Sequence, residues 1–277
     1  MENTNENITA AATDEMIVGL IAKKLGLRER QVAGTVNLLK GGATIPFISR
    51  YRKETTGGLN EVQIAEINDS CEKLEELVHR REYILNTIEE QGKLTPELRQ
   101  RIAGRWDADL LEDLYLPYKP KRKTRAEAAR KKGLQPLADS LLKRPYDNPD
   151  RTARQFLNDE VPDVEAALSG ARDIIAEHVN EDEQARQSVR RSYQLTAVVR
   201  SKVVKGKEEE GAKFRDYFDW QEPLRRCSSH RMLAMLRGEA EGFLKVSILP
   251  ADDDDCRSRV ARRFVRPGSA AAQQLEL

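Results

Sequence analysis

Residues 61–91 contain neither proline nor glycine, and this run most constrains the fold. Apolar residues recur in it in alternating steps of three and four, the spacing of one helix face. With Asn60 as the N-cap, the pattern predicts one helix on the order of 45 Å long. The apolar series is Ile64, Ile67, Cys71, Leu74, Val78, Leu85 and Ile88, with Arg81 as its polar member. Such a helix is either a spine for neighbouring helices, which we favour, or half of a dimeric coiled coil.

Composition favours a mainly α, multi-helical scaffold. Aromatic residues make up 5% of the 277 residues and there are 16 glycines, too few turn and sheet signals for an all-β fold. Residues 243–249, FLKVSIL, predict a minor β element. Residues 194–205 fit a strand or a helix face, and residues 252–255, four successive aspartates, predict a solvated acidic loop.

The start of the chain predicts two short helices. Residues 1–12 are polar and are expected to be disordered, and a helix follows to Leu25, where Gly26 ends it. A second helix is predicted from Arg28 up to two glycines. The pair resembles a helix-turn-helix, but we favour a plain helical hairpin, since its second helix offers few side chains that read bases.

Two domains are predicted, at residues 13–145 and 146–277. Their boundary is placed in a loop marked by Pro145 and Pro149. The abrupt last residues, AAAQQLEL, suggest that the chain is truncated.

A proline elbow and a basic cluster stand in the middle of the chain. Pro117 and Pro120 interrupt the preceding helix, and Thr124 and Glu127 have the spacing of a capping box for a new helix that should stop at Gly133. Residues 119–132 carry eight basic side chains against Glu127 alone, while the whole chain has a net charge of +1. The positive charge is therefore concentrated in this stretch.

Positive charge in a row beside planar rings is suited to nucleic-acid contact. The candidate contacts are Lys119, Lys121, Arg122, Lys123, Arg125, Arg130, Lys131 and Lys132, with Arg50, Arg52 and Lys53 as a second group beside Tyr51. In the alternative interpretation the basic side chains pair with acids such as Glu112 and Asp113, while Tyr115 and Tyr118 fill gaps in the core.

Catalytic and ligand-binding motifs are absent from the sequence. It has no metal-ligand spacing among its three histidines, and its three cysteines are widely separated, as expected for reduced thiols. No secretory signal or membrane-spanning run is present. We therefore expect a cytoplasmic, non-enzymatic protein with no cofactor, no metal, no membrane partner and no small-molecule substrate.

Four strings resemble the N-terminal part of the bacterial Tex family of transcription accessory proteins. They are TIPFISRYRKE at 44–54, DLYLPYKPKRKTRAEAARKKGLQPLA at 113–138, SKVVKGKEEEGAKFRDYF at 201–218 and SHRMLAMLRGEAEG at 229–242. That family is related to eukaryotic transcription-elongation histone chaperones. The resemblance implies a helical scaffold with a helix-turn-helix-like start. In the family this part precedes an RNase-H-like domain, a helix-hairpin-helix region and a C-terminal S1 domain, the principal nucleic-acid-binding module.

Two hypotheses of function follow. In the first, the chain is a scaffold that binds RNA or DNA through its phosphates without reading sequence. In the second, it is a protein-interaction scaffold whose basic stretch docks on the transcription machinery, such as RNA polymerase or ribosome-associated machinery, or on other domains of the full-length protein.

Overall fold

The computed structural model describes residues 2–120 and 123–277, and for residues 2–12 it describes the backbone alone. By its contacts the chain divides into two compact units, residues 1–118 and residues 119–277. The fold is mainly α with a minor β element, as predicted. Within the described ranges, no helix is both long and apolar enough to cross a membrane.

The first unit is built of helices. They are α1 (Glu2–Leu25), α2 (Glu29–Lys40), α3 (Ile45–Tyr51), α4 (Lys53–Thr56), α5 (Glu61–Glu90), α6 (Pro96–Ala103) and α7 (Ala108–Tyr115), followed by a 3-10 turn at Leu116–Tyr118. The backbone of α1 begins before the predicted start, while the side chains of residues 1–12 lie outside the described part. Gly26, at φ 66°, joins α1 to α2. Both interpretations of this pair stay predictions.

Helix α5 is the predicted long helix. The side chain of Asn60 accepts a hydrogen bond from the backbone N–H of Gln63 at 2.9 Å and caps its start. The buried face packs against α1, α2, α3, α6 and α7 of the same chain, in agreement with the spine interpretation.

The two halves of α5 serve two different cores. Ile64 and Ile67 lie in a core shared with α1, α2 and α3, whereas Leu77 and Ile84 lie in one shared with α6 and α7. Leu77 and Ile84 fall outside the apolar series read from the sequence, because the neighbouring helices change side along α5.

The guanidinium of Arg81, the polar member of that series, lies 4.5 Å from the ring centroid of Trp106, and its Nη1 donates to the carbonyl of Ala103 at 2.8 Å.

The second unit combines helices with a small sheet. Its helices are α8 (Arg125–Lys131), α9 (Gln135–Lys143), α10 (Pro149–Ala153), α11 (Val164–Glu181), α12 (Glu183–Thr196), α13 (Ser229–Ala240), α14 (Asp253–Phe264) and α15 (Ala272–Glu276). Its strands are β1 (Ala197–Val203), β2 (Asp219–Pro223) and β3 (Leu244–Pro250), in the order β2-β1-β3 with both pairings antiparallel.

Three local predictions can be compared with these elements. The predicted β element at 243–249 is confirmed as β3. The ambiguous residues 194–205 divide into the end of α12 and β1. The predicted acidic loop is wrong, because Asp252 caps α14 and the next three aspartates form its first turn, where the helix dipole favours negative charge.

One core runs through the second unit and crosses the predicted domain boundary. Leu141 lies before the loop of Pro145 and Pro149, and Ala153 and Val161 lie after it, yet all three belong to the same buried cluster. The two compact units divide after residue 118. The domain boundary at 145 stays a prediction. In this core α11 packs against α8, and a Cβ on Gly170 would overlap the side chain of Leu134, the residue before α9.

Candidate nucleic-acid interface

Helix α3 is amphipathic, and one of its faces is open. Ile48 is fully buried, and the buried Ser49 hydroxyl donates to the carbonyl of Pro46 at 3.0 Å, with a carboxylate oxygen of Glu61 as its alternative acceptor at 3.3 Å. Phe47 and Tyr51 lie four residues apart, on the side turned away from this anchor. The burial of Ile48 thus directs both rings outward.

The two rings form an exposed aromatic pair. Phe47 is 39% exposed and Tyr51 68% exposed, and their ring centroids are 5.4 Å apart. The guanidinium carbon of Arg52 lies 5.3 Å from the centroid of Phe47. Exposed rings beside cations are the elements on which unpaired bases stack.

Three basic side chains near these rings are open to solvent. Arg50, Arg52 and Lys53 are exposed, and within the described part of the chain their side chains make no ion pair and no hydrogen bond. We call Phe47, Arg50, Tyr51, Arg52 and Lys53 together the α3 surface.

Close packing behind α4 holds this surface in place. The amide of Gln31 on α2 donates to the carbonyl of Thr56 at 3.2 Å. A Cβ on Gly34 would stand 2.7 Å from the carbonyl oxygen of Thr55, so α2 and α4 touch through their backbones. Gly57 then turns the chain away in the left-handed region, at φ 66°.

The basic stretch after the elbow is partly neutralised within its own unit. Arg125 pairs with Asp173 at 3.4 Å and Arg130 with Glu177 at 2.5 Å, both acids on α11. Lys131 pairs with Glu127 one turn earlier at 3.1 Å.

The other basic residues of the stretch divide into two groups. Lys119, Lys123 and Lys132 are exposed and have no ion pair among the described residues. Lys121 and Arg122 lie outside the described residues.

The rings beside the elbow belong to the core. Tyr115 is buried, and its ring meets that of Tyr83 edge to face at a centroid distance of 6.4 Å. Tyr118 packs against the same core. Glu112 pairs with Arg80 of its own unit through two hydrogen bonds of 2.6 and 3.1 Å. Tyr115 is therefore unavailable for stacking, and Tyr118 is half-buried. The acids that pair with Arg125, Arg130 and Lys131 come from α8 and α11.

Two family models match the chain. The Tex-like protein N-terminal domain matches residues 15–89, and the Tex central region matches residues 144–275. The chain belongs to the Tex family.

Proteins similar to this Tex-family chain include two that are named Tex and one that is named for an S1 RNA-binding domain. Protein tex of Bordetella pertussis is 49% identical over 239 residues, which cover 85% of this chain and 30% of the relative. The transcriptional accessory protein Tex of Neisseria gonorrhoeae is 43% identical over 255 residues, 90% of this chain and 34% of the relative. The human S1 RNA-binding domain-containing protein 1 is 28% identical over 278 aligned residues, 94% of this chain and 27% of the relative. The chain thus spans about a third of the length of the curated relatives it matches.

The two candidate groups lie differently on the matched ranges. The α3 surface falls inside the Tex N-terminal match, whereas the basic stretch at 119–132 falls between the two matches. Sequence reasoning named the cations of the α3 surface but missed Phe47. The four-residue spacing between Phe47 and Tyr51 was the available signal, because it places both rings on one helix face. No group of three or more His, Cys, Asp or Glu side chains in the described ranges could hold a metal ion.

Proposed function

We propose that this Tex-family chain is a cytoplasmic, non-enzymatic scaffold that binds nucleic acid without sequence readout and serves transcription. The observation that carries the proposal is the α3 surface, where exposed rings stand among three unpaired cations on a rigid support. The names of the relatives, a transcriptional accessory protein and an S1 RNA-binding domain-containing protein, support the same class of partner.

The chemistry of the α3 surface favours a single strand. Cations contact phosphates and release bound counterions, which gives affinity independent of sequence. Exposed rings add stacking, and only an unpaired base offers its face to them. The α3 surface combines both interactions on one short helix.

The elbow cations are auxiliary contacts in this proposal. Lys119, Lys123 and Lys132 are exposed and can reach phosphates. A phosphate at Arg125, Arg130 or Lys131 would compete with the carboxylates of Asp173, Glu177 and Glu127, so these three contribute less.

Salt dependence tests the proposal. Binding of the 277-residue chain to single-stranded RNA and DNA is measured at several salt concentrations. In the variant Arg50→Ala/Arg52→Ala/Lys53→Ala, loss of three phosphate contacts should flatten the slope of log K against log salt by about two units for single strands.

A matched control removes the same charge elsewhere in the first unit. Lys23, Lys73 and Lys93 are exposed and have no ion pair among the described residues. Their triple alanine variant should keep the wild-type slope to within about half a unit, since counterion release counts contacts rather than net charge. Equal slopes for the two triple variants would rule out direct contact by the α3 surface.

The alternative function is a scaffold for protein contacts, including RNA polymerase or ribosome-associated machinery. Leu233 and Leu236 favour it, because they lie three residues apart on α13 and are 65% and 43% exposed. Under this alternative, Leu233→Ser/Leu236→Ser should abolish binding to purified RNA polymerase or ribosomes and leave nucleic-acid affinity unchanged.

A further inference from the structure

The sheet of the second unit has one buried face and one open face. Antiparallel register and the two-residue alternation of strands assign each side chain to a face. Val199 and Ser201 are fully buried on one face, and Leu244 on the same face lies against Gly238 of α13. The opposite face is covered at Val198, which is 8% exposed, and carries charged and polar groups from Arg200 to Lys202.

Three basic side chains lie on this opposite face. Lys202 of β1 stands directly across from Lys245 of β3, and both are exposed. Arg200, two residues before Lys202, stands across from Ser247 on one side and Gln221 on the other. We call Arg200, Lys202, Gln221, Lys245 and Ser247 the open sheet face.

The two lysines of the open sheet face make no ion pair among the described residues. Like charges directly opposite on neighbouring strands destabilise a sheet. Asp219 is the cross-strand neighbour of Lys202 on its other side, yet no ion pair within 4.0 Å joins them. Among the described residues the buried Nε of Arg200 has no hydrogen-bond partner. That nitrogen is closed to a ligand, whereas the exposed pair of Lys202 and Lys245 is complementary to a polyanion.

The absence of rings distinguishes this surface from the α3 surface. The five residues of the open sheet face include no aromatic side chain, and Trp220 lies on the other face of β2. Binding of a single strand relies on stacking between bases and rings. In a duplex the bases already stack on each other, so contacts with the backbone are enough.

We propose that the open sheet face binds the phosphate backbone of duplex DNA, with the exposed Lys202 and Lys245 as the contacts. The inference rests on the proposed nucleic-acid function and adds to it a second surface with a different partner. DNA is preferred to RNA because recognition of an RNA duplex draws on contacts with 2′-hydroxyls, whereas this surface offers mainly cations.

The test compares two double variants of the 277-residue chain on a 20-base-pair DNA duplex. Lys202→Ala/Lys245→Ala should flatten the slope of log K against log salt by about two units, one for each lost phosphate contact. Arg151→Ala/Arg154→Ala is the matched control: both arginines are exposed, and among the described residues neither makes an ion pair, so the slope should not change. The lysine variant should melt at the wild-type temperature or above it, because the like-charge pair is gone.

The outcomes separate this inference from the proposed function. An unchanged duplex slope in the lysine variant, with single-strand affinity still lost in the α3-surface variant, would overturn the sheet-face inference alone. An equal change of slope on an RNA duplex would overturn the choice of DNA. If the wild-type chain bound neither single strands nor duplexes, both proposals would be wrong.

Discussion

Gly34 of α2 lies directly against the backbone of Thr55 in α4, so close that a Cβ on the glycine would stand 2.7 Å from the carbonyl oxygen. Two short helices thereby touch without a side chain between them. The contact fixes α4 and, through it, the segment that carries Arg52 and Lys53. A glycine within a helix normally lowers stability, and here the close approach accounts for it.

We expect Gly34→Ala to destabilise the first unit by about 1 to 3 kcal/mol, because overpacking outweighs the better helix propensity of alanine. Urea unfolding would measure the change. Gly19→Ala in α1 is the matched control, since its Cβ would meet only Oε1 of Glu29 at 3.6 Å and should be neutral or stabilising. If both variants gained stability, the close approach of α2 to α4 would be wrong.

Arg80 and Glu112 should act as a unit that links α5 to α7. The guanidinium of Arg80 makes two hydrogen bonds to Glu112 and lies 5.1 Å and 5.2 Å from the ring centroids of Tyr83 and Tyr115. These hydrogen bonds to Glu112 raise the pKa of Arg80. In a double-mutant cycle with Arg80→Met and Glu112→Gln, we expect a coupling energy of about 0.5 to 2 kcal/mol.

A second ion pair of the first unit serves as the control for that double-mutant cycle. The exposed pair of Arg99 and Glu89, at 2.8 Å, involves no ring and should give a coupling of at most about 1 kcal/mol. A coupling at Arg80 and Glu112 smaller than that of this control would show that the second hydrogen bond does not strengthen the pair.

Asp182 should make stability depend on acid pH. Its carboxylate accepts from the N–H of Ala185 at 2.7 Å and pairs with Arg263 at 2.7 and 3.1 Å. Burial alone would raise the pKa of Asp182, but the hydrogen bonds from Arg263 and Ala185 outweigh it and hold the pKa below 3.8. A carboxyl whose pKa is lower in the folded state stabilises the fold fully above its unfolded pKa, and this contribution is lost as pH falls through the folded pKa.

Asp182→Asn should therefore lower the free energy of unfolding by about 1 to 3 kcal/mol at pH 7, and the deficit should shrink as pH falls below about 4. Urea unfolding from pH 7 to pH 3 would follow it. Asp147→Asn is the control, since Asp147 is exposed and makes no ion pair among the described residues. A deficit that stayed constant with pH would exclude the ionic contribution.

Sequence reasoning succeeds here where the signal is local. Asn60 and Thr124 were predicted to cap helices, and each accepts the expected backbone hydrogen bond. A cap and the N–H that it satisfies are three residues apart, so the sequence contains the whole interaction.

The sequence does not show which residues that are far apart in the chain will contact each other in the fold. Nothing near Arg130 in the sequence shows that Glu177, 47 positions later, will pair with it once α8 packs on α11. Likewise residues 197–203 become a strand because β2 and β3 pair with them on both sides. The availability of a cation and the choice between helix and strand therefore depend on tertiary contacts.

The rings of the α3 surface should contribute affinity that salt does not remove. Stacking on Phe47 or Tyr51 needs no counterion release, so Phe47→Ala and Tyr51→Ala should each weaken binding to single strands by about 1 to 3 kcal/mol at every salt concentration, with an unchanged slope.

Tyr51→Phe keeps the ring and should bind like the wild type. Tyr146→Ala removes a tyrosine of the second unit that is 73% exposed, and should have no effect if stacking belongs to the α3 surface. Fluorescence anisotropy with labelled single strands at low and high salt measures all four variants. A loss of affinity that vanished at high salt would mean that the rings act only by orienting Arg52, whose guanidinium lies over Phe47, and that bases do not stack on them.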